Sequence, residues 1–295
     1  MSQGPAGASA PAIPVPDTVA VVGLGLMGGS LARSLKALPE PPRILGVERD
    51  PVQAALALDA GVVDRFEPEG PGLLGEADVV VYAAPLAASL ELLAEHHHHW
   101  AEGALITDLV GLKVPLLRLA ERKGFHTRYV GGHPLCGAEG SGFRAAQEGL
   151  FRDARVFLCG HPDLDESRRR RAEGFWRLVG GRPEWVDAEE HDRRMAWVSH
   201  LPQLVANALA GALDAAGWSA RDLGPGGRDM TRLAGSSPEV WKELLATSAP
   251  QTGAGLTSVS RALNVLADLL ARRDMDRVAE FMERTREWQR GEGEA

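Results

Sequence analysis

The chain has 295 residues and a formal charge of −8, with its acidic residues spread along its length. This length allows one large or two moderate domains. The dispersed negative charge argues against nucleic acid or an anionic membrane as the main partner. No window reaches the ~18–20 uninterrupted apolar residues of a membrane span. Two cysteines in so long a chain fit a reducing cytoplasm, so we expect a cytoplasmic protein without a disulfide framework.

The first predicted segment, residues 1–16, is rich in Ala, Pro, Gly and Ser. It has neither a basic start nor a sustained apolar core. We therefore expect a disordered lead-in and not a signal peptide.

The most informative stretch is Thr18–Ser30, TVAVVGLGLMGGS, which predicts a strand, a glycine turn and a helix. This order is typical of the βαβ unit that holds a dinucleotide pyrophosphate. Gly23 permits the tight turn, Gly25 lets the backbone approach the phosphates, and Gly28 lets the helix pack against the strand. The N–H groups at the start of the helix would then face the anion.

A second strand is predicted over Arg43–Val47, and Glu48 follows it 20 residues after Gly28. A carboxylate here would accept hydrogen bonds from the ribose hydroxyls and repel a 2′-phosphate, which favours NAD over NADP. NADP stays open because the Arg49 guanidinium could hold that phosphate. The other cofactor contacts are expected beside the glycines and at strand ends, from Leu24, Met27, Arg49, Ala84, Pro85 and Asp108.

From Asp17 to Asp187, short β-branched runs alternate with helical stretches such as Pro51–Ala60 and Lys113–Lys123. The further predicted strands are Val19–Val22, Val79–Ala83, Ala104–Thr107, Thr127–Val130, Arg155–Leu158 and Glu184–Val186. This alternation predicts a mostly parallel sheet with helices on both faces. We therefore assign residues 17–187 to a doubly wound, Rossmann-type dinucleotide-binding domain.

The tetrad His96–His99 is a low-complexity oddity within this domain. Consecutive helical positions point about 100° apart, so four adjacent histidines cannot all face one metal ion. We interpret the tetrad as a surface run and predict no metal site.

After Asp187 the β signal disappears, which predicts an all-α domain over residues 188–295. His191–Leu213 has apolar residues at helical spacing, and Pro202 should kink or break that helix. Further helices are predicted from Ser237-Pro238 and over Gly255–Arg272 and Asp274–Arg290. Their broad apolar faces predict a homodimer, with a compact monomeric helical domain as the alternative.

The stretch Gly131–Gly142, GGHPLCGAEGSG, supplies the first candidate for chemistry. His133 follows a predicted strand and is placed in a glycine-rich loop, stiffened by Pro134. The carboxyl ends of strands line the ligand crevice of a doubly wound sheet. A neutral imidazole there could accept a proton from a substrate hydroxyl as hydride leaves the same carbon. The alternative is a loop histidine bonded to nearby backbone.

The helical domain supplies further polar candidates. His191-Asp192, His200 and Gln203 could touch substrate or serve as structural hydrogen-bonding groups. Arg228 and Arg232, four residues apart, would share one helix face. Either guanidinium could bind a carboxylate through two parallel hydrogen bonds or form an exposed salt bridge.

Together these segments resemble the prephenate dehydrogenases, the enzymes of tyrosine biosynthesis. The matching stretches, in the family's order, are GLGLMGGSLARSL, ITDLVGLK, GGHPLCGAEGSG, EEHDRRMAWVSHLPQ and GGRDMTRLA followed by SSPEVW. The resemblance implies an NAD-dependent oxidative decarboxylation. Hydride passes from the ring carbon that carries the hydroxyl to NAD⁺, and CO₂ leaves as the ring becomes aromatic.

The resemblance also implies roles for individual residues. His133 matches the catalytic histidine that hydrogen-bonds the substrate hydroxyl, and Arg232 matches the arginine that binds a substrate carboxylate. Glu139 matches an acidic residue at the cleft entrance. His200 and Gln203 complete the expected substrate site, while the three glycines and Glu48 match the cofactor site.

Three positions depart from the family's pattern. Gly111 stands where the family usually has a serine, which removes a hydroxyl partner of the catalytic histidine. Ala138 replaces a common Ser or Thr, and Gln203 replaces a second histidine. The change at Gln203 leaves the choice between prephenate and arogenate open.

Two different functions stay open beside this one. The first is that of a two-domain β-hydroxyacid or imine-reducing dehydrogenase, which is disfavoured because the segment HDRRMAWVSHLPQ lacks a lysine. The second is that of a non-catalytic NAD sensor, which is disfavoured because His133 and Arg232 are both present.

Overall fold

Short apolar runs form a twisted sheet in the first part of the chain. The computed structural model describes residues 14–291, so the lead-in predicted over residues 1–16 lies almost wholly outside the described residues. Within that range the strands are β1 (Thr18–Val22), β2 (Arg43–Val47), β3 (Arg65–Glu67), β4 (Val79–Tyr82), β5 (Leu105–Asp108), β6 (Tyr129–Pro134), β7 (Arg155–Gly160) and β8 (Arg182–Trp185).

The strand order is β3-β2-β1-β4-β5-β6-β7-β8, and every neighbouring pair is parallel except β6 and β7. The connecting helices are α1 (Leu26–Lys36), α2 (Pro51–Asp59), α3 (Pro71–Leu74), α4 (Leu86–His96), α5 (Val114–Lys123) and α6 (Glu166–Leu178). All residues of β1, β4 and β5 are buried. Strands covered on both faces favour continuous apolar runs, which is the pattern of β1 and β4, whereas β5 ends on the buried polar residues Thr107 and Asp108. The predicted doubly wound fold is confirmed.

The placement of His133 in a loop is wrong. Strand β6 continues through His133, which pairs with Phe157 of the antiparallel β7. The glycines before it do not form a turn. Gly132 is required because there is no room for a side chain: a Cβ there would lie 2.6 Å from the Asp108 carbonyl oxygen. His133 therefore projects from a strand that is paired with β7 at this position, while the pairing of β6 with β5 ends at Val130.

The chain divides into two units, the first ending at Asp192 and the second beginning at Arg193. The remaining elements are α7 (Ala188–Met195), a π-helical turn over Ala196–His200, α8 (Leu201–Ala215), α9 (Pro225–Thr231), α10 (Pro238–Ala271) and α11 (Met275–Arg290). The all-helical prediction is therefore confirmed for the described residues. Pro202 lies in the first turn of α8, directly after the π-helical turn. The helix is therefore irregular just before the proline, close to where the sequence predicted a kink or break.

The two helices predicted around Ser237 and Gly255 are in fact one, because α10 runs unbroken from Pro238 to Ala271. Gly255 does not end it. A Cβ there would lie 2.9 Å from Leu201 Cδ2, so the glycine lets α8 and α10 approach closely. Among the described helices, none combines the length and the apolar character needed to cross a bilayer.

The tetrad His96–His99 is not wholly a surface run. His96 is only 4% exposed, and its Nδ1 accepts a hydrogen bond from the Tyr82 hydroxyl at 3.1 Å. That hydroxyl also accepts from Trp100 Nε1 at 3.0 Å, which leaves its proton for His96, whose ring bonds the Glu69 backbone through its other nitrogen. Burial lowers the pKa of His96, which keeps the ring neutral and able to accept. Its role is structural.

Candidate active site

The glycine turn lies at the edge of the sheet where the parallel strands β1, β2 and β4 end. Gly23 has a φ of +95°, and its N–H donates to the Val47 carbonyl at 2.8 Å. A Cβ on Gly28 would lie 1.9 Å from the Gly23 carbonyl oxygen. The chain itself therefore requires glycine at both positions.

Gly25 is different, because a Cβ there would meet nothing within 4 Å. The protein alone gives no reason for a glycine at this position, whereas a ligand that approaches the backbone does. Gly25 also begins α1 without a side-chain cap, so the first-turn N–H groups can bind an anion. These observations fit a dinucleotide pyrophosphate.

Glu48 directly follows β2, at the same end of the sheet as the glycine turn. Its carboxylate accepts the Leu24 N–H at 2.7 Å and the Asp50 N–H at 2.9 Å. Both bonds hold the side chain beside the glycine turn, and the oxygens keep lone pairs for further donors. The position and charge suit a pair of ribose hydroxyls.

The other predicted cofactor residues lie around this turn with different exposure. Leu24 is buried in the core, Met27 and Ala84 are half-buried, and Arg49 and Pro85 are exposed. Leu24 can therefore offer a ligand only its backbone. Ala84 and Pro85 follow β4 beside the turn, since a Cβ on Gly23 would lie 3.2 Å from the Ala84 nitrogen.

The Asp108 side chain is not presented to a ligand, so this predicted cofactor residue can offer only its backbone. The carboxylate is fully buried at the end of β5. Its oxygens accept hydrogen bonds from four groups: Val110 N at 2.7 Å, Gly132 N at 3.2 Å, the Tyr129 hydroxyl and Lys113 Nζ. Burial, and then the Asp108 charge, raise the pKa of Tyr129 well above its usual value, so the hydroxyl stays protonated.

Lys113 balances the buried Asp108 carboxylate, and its burial was not predicted from the sequence. Its side chain is fully buried, and Nζ also donates to the Gly132 carbonyl at 2.7 Å. This pair ties the end of β5 to β6, one residue before His133. Lysine is almost never buried without a partner, but no local pattern identifies the partner.

His133 is half-exposed, and its Nδ1 lies 2.9 Å from His191 Nε2. His191 is fully buried, with Nδ1 2.7 Å from an Asp192 carboxylate oxygen. The Asp192 carboxylate also accepts Lys113 N at 2.8 Å and Val114 N at 3.0 Å, which caps α5. The first unit thus contains a continuous chain from His133 through His191 to Asp192.

Glu139 is exposed in the segment between β6 and the short helical turn Phe143–Ala145. Gly111 follows β5 and has no side chain to offer His133. Gly111 therefore cannot supply the hydroxyl partner expected from the family's pattern, and the His133 imidazole contacts that of His191.

In the second unit, His200 is buried at the end of the π-helical turn, with Nδ1 2.7 Å from the Ser248 hydroxyl. Such turns often occur at functional sites. Gln203 is also buried, and its Nε2 donates to Asn207 Oδ1 at 2.8 Å and to the Leu233 carbonyl at 2.7 Å. Its Oε1 is buried without a hydrogen-bond partner among the described residues. Gln203 therefore keeps an acceptor for a further donor.

Arg228 and Arg232 both line a cavity of about 660 Å³ in the second unit. Arg228 lies on α9, where its Nε donates to the Leu223 carbonyl at 2.9 Å. Arg232 begins the next helical turn and is exposed. The cavity wall also includes Trp218 and Leu213, so cationic and apolar groups face the same space. Such a lining suits a carboxylate on a cyclic or aromatic body.

Known proteins resemble both units. Residues 31–184 match the model of the prephenate dehydrogenase nucleotide-binding domain, and residues 187–284 match that of the prephenate dehydrogenase dimerization domain. A prephenate dehydrogenase of Bacillus subtilis (strain 168) is 32% identical over 240 residues, covering 78% of this chain and 63% of that protein. The chain thus spans less than two thirds of that relative.

Two further proteins match over most of their length. A prephenate dehydrogenase of Lactococcus lactis subsp. cremoris (strain MG1363) is 30% identical over 281 residues, covering 90% of this chain and 74% of that protein. The crystal structure of prephenate dehydrogenase from A. aeolicus, in complex with hydroxyphenyl propionate and NAD⁺, superposes with a TM-score of 0.85. It is 27% identical and covers 93% of this chain and 98% of that one.

Proposed function

We propose that this chain, which belongs to the prephenate dehydrogenase family, oxidises prephenate with NAD⁺ to give 4-hydroxyphenylpyruvate, CO₂ and NADH. The observation that supports this most directly is the edge of the parallel sheet. Within the first unit, it brings together a nucleotide-binding turn and a histidine whose Nδ1 is held by a second imidazole. The loss of CO₂ makes the ring aromatic and provides the driving force.

The cofactor would bind with its pyrophosphate at Gly23, Gly25 and Gly28 and its ribose hydroxyls at Glu48. When bound, NAD⁺ supplies the hydride acceptor. The chain contributes the first-turn N–H groups of α1, which stabilise the phosphates, and a carboxylate that disfavours a 2′-phosphate.

We assign proton transfer to His133, which accepts the proton of the substrate hydroxyl as the carbonyl forms and returns it to that oxygen as the loss of CO₂ gives the phenol. Arg232 binds a carboxylate of the substrate through its guanidinium. Glu139, His200 and Gln203 complete the proposed set. Because the reaction needs only orientation and the movement of one proton, these few groups are sufficient for it.

We further propose that the enzyme is a cytoplasmic homodimer. The match to a dimerization domain supports the dimer. Large apolar side chains of the second unit are also exposed, including Trp218, Met230, Leu263 and Trp288. A second subunit would cover such a surface. Cys136 and Cys159 are both unpaired, which suits a reducing compartment.

The proposal is tested by following NADH absorbance with the purified chain. NAD⁺ or NADP⁺ is offered with prephenate, with arogenate or with a simple β-hydroxy acid. We expect turnover with prephenate and NAD⁺. Turnover of the hydroxy acid alone, or turnover of none of these substrates, would contradict the proposal. A preference for arogenate over prephenate would change the assigned substrate to arogenate.

Two variants test the proposed roles. His133→Asn should lower kcat by about 10²–10⁴-fold and leave NAD⁺ affinity nearly unchanged, because it removes only the proton acceptor. Arg232→Ala should mainly raise the KM for prephenate. The matched controls are His161→Asn, at a half-buried histidine that follows β7, and Arg170→Ala, in an exposed ion pair of α6. Both controls should retain wild-type kinetics.

A further inference from the structure

The contact between His133 and His191 has no role yet in the proposed reaction. This chain has Gly111 where the family's pattern has a serine hydroxyl, and His133 Nδ1 lies 2.9 Å from His191 Nε2. We infer that His191 and Asp192 are positioning residues that fix which nitrogen of His133 carries its proton. The inference deepens the proposed function, since it rests on His133 as the proton acceptor.

Asp192 determines which nitrogen of His191 carries the proton. An ionised carboxylate only accepts hydrogen bonds, so the 2.7 Å contact requires a proton on His191 Nδ1. Burial lowers the pKa of His191, and the positive charge of Lys113 acts in the same direction, while Asp192 opposes both. The ring is therefore neutral, and its second nitrogen, Nε2, carries a lone pair.

His191 in turn determines which nitrogen of His133 carries the proton. The lone pair on His191 Nε2 faces His133 Nδ1 at 2.9 Å, so Nδ1 of His133 must be the donor. In a neutral His133 the proton on Nδ1 leaves Nε2 unprotonated. The chain from Asp192 through His191 thus prepares Nε2 of His133 to accept the substrate proton.

The supporting groups are rigidly held, which a positioning role needs. The Asp192 carboxylate is fixed by the backbone N–H groups of Lys113 and Val114 at the start of α5. The ring of His191 is fully buried and meets Phe157 edge-on, with the ring centres 5.5 Å apart. A fixed ring can orient His133 without the serine hydroxyl that Gly111 lacks.

Two amide substitutions at His191 separate positioning from bulk structure. In His191→Asn the short amide can keep the hydrogen bond to Asp192 but does not reach His133. In His191→Gln the longer amide places an oxygen near the former Nε2, where it can accept from His133 Nδ1. We expect kcat to fall by about 10–10²-fold in the Asn variant and by less than about 5-fold in the Gln variant. His161→Gln is the control.

The kinetic experiment is paired with a readout that needs no turnover. Imidazole ¹⁵N spectra of the free, full-length protein report which nitrogen of each neutral histidine carries the proton, with His133→Asn assigning the signal. The wild type and the Gln variant should show His133 protonated at Nδ1. The Asn variant should show a mixture of both tautomers, with unchanged NAD⁺ affinity and melting temperature.

Any of three results would overturn the inference: wild-type kcat in the Asn variant, equal impairment of the two variants, or an Nε2-protonated His133 in the wild type. Failure of the proposed function is a separate outcome. It would show as a wild type that turns over neither prephenate nor arogenate, while the ¹⁵N spectra still decide whether Asp192 and His191 set the tautomer.

Discussion

Replacing Lys113 by methionine should destabilise the first unit more than any surface substitution, because it breaks a fully buried ion pair. The Asp108 carboxylate would keep three donors, Val110 N, Gly132 N and the Tyr129 hydroxyl, but would lose its only direct cationic partner among the described residues. Removing one partner of a buried pair typically costs about 3–5 kcal/mol, since an uncompensated charge stays in the interior. At ~2–4 °C per kcal/mol, the melting temperature should fall by roughly 6–20 °C.

The measurement is urea and thermal unfolding followed by circular dichroism, with Lys123→Met as the control. Lys123 is exposed at the end of α5, so its replacement should change the free energy of unfolding by less than about 0.5 kcal/mol. The double variant Asp108→Asn/Lys113→Met should recover part of the loss, because the remaining group is neutral. A loss below about 1 kcal/mol in Lys113→Met, or no recovery in the double variant, would refute the charge argument.

Three other predictions concern single groups. Gly25→Ala should weaken NAD⁺ binding by about tenfold or more at an unchanged melting temperature, whereas Gly28→Ala should lower both, because only its Cβ meets backbone. Equal melting temperatures of the Gly25→Ala and Gly28→Ala variants, measured by calorimetry, would contradict this prediction. Burial raises the pKa of Cys136 to about 11, so at pH 8 its thiolate fraction should be about 10⁻³ and its alkylation more than ~100-fold slower than that of a free thiol. Mass spectrometry of a Cys159→Ser variant checks this, and fast labelling before unfolding would refute it. Glu48→Ser should raise kcat/KM for NADP⁺ relative to NAD⁺ by about tenfold or more, and an unchanged ratio would remove Glu48 from cofactor selection.

The sequence predicts those features that short-range patterns determine. Strand β2 was predicted with its observed bounds, Arg43–Val47, because a run of apolar residues is delimited by prolines before it and charges after it. The glycine turn was predicted because strand, turn and helix follow directly in the chain. In contrast, the three-residue strand β3, Arg65–Glu67, has too few residues to show a period and was missed.

The missed features depend on partners that are distant in the chain. Whether Lys113 or His96 is buried depends on Asp108 and Tyr82, which no local spacing reveals. The glycines before His133 predicted a loop, but packing against the end of β5 makes them part of a strand. His191 was recognised only as a polar candidate, since its contact with His133 joins residues 58 positions apart.

The cap on α5 has a consequence for how the first unit is completed during synthesis. The helix begins at Val114, but the carboxylate that accepts its leading amides belongs to Asp192, 78 residues later. A ribosome that has produced everything through β8 has therefore not yet delivered the last two side chains this unit uses around His133. The interior of the sheet can assemble early, while the chain of contacts from His133 through His191 to Asp192 becomes ordered only as α7 emerges.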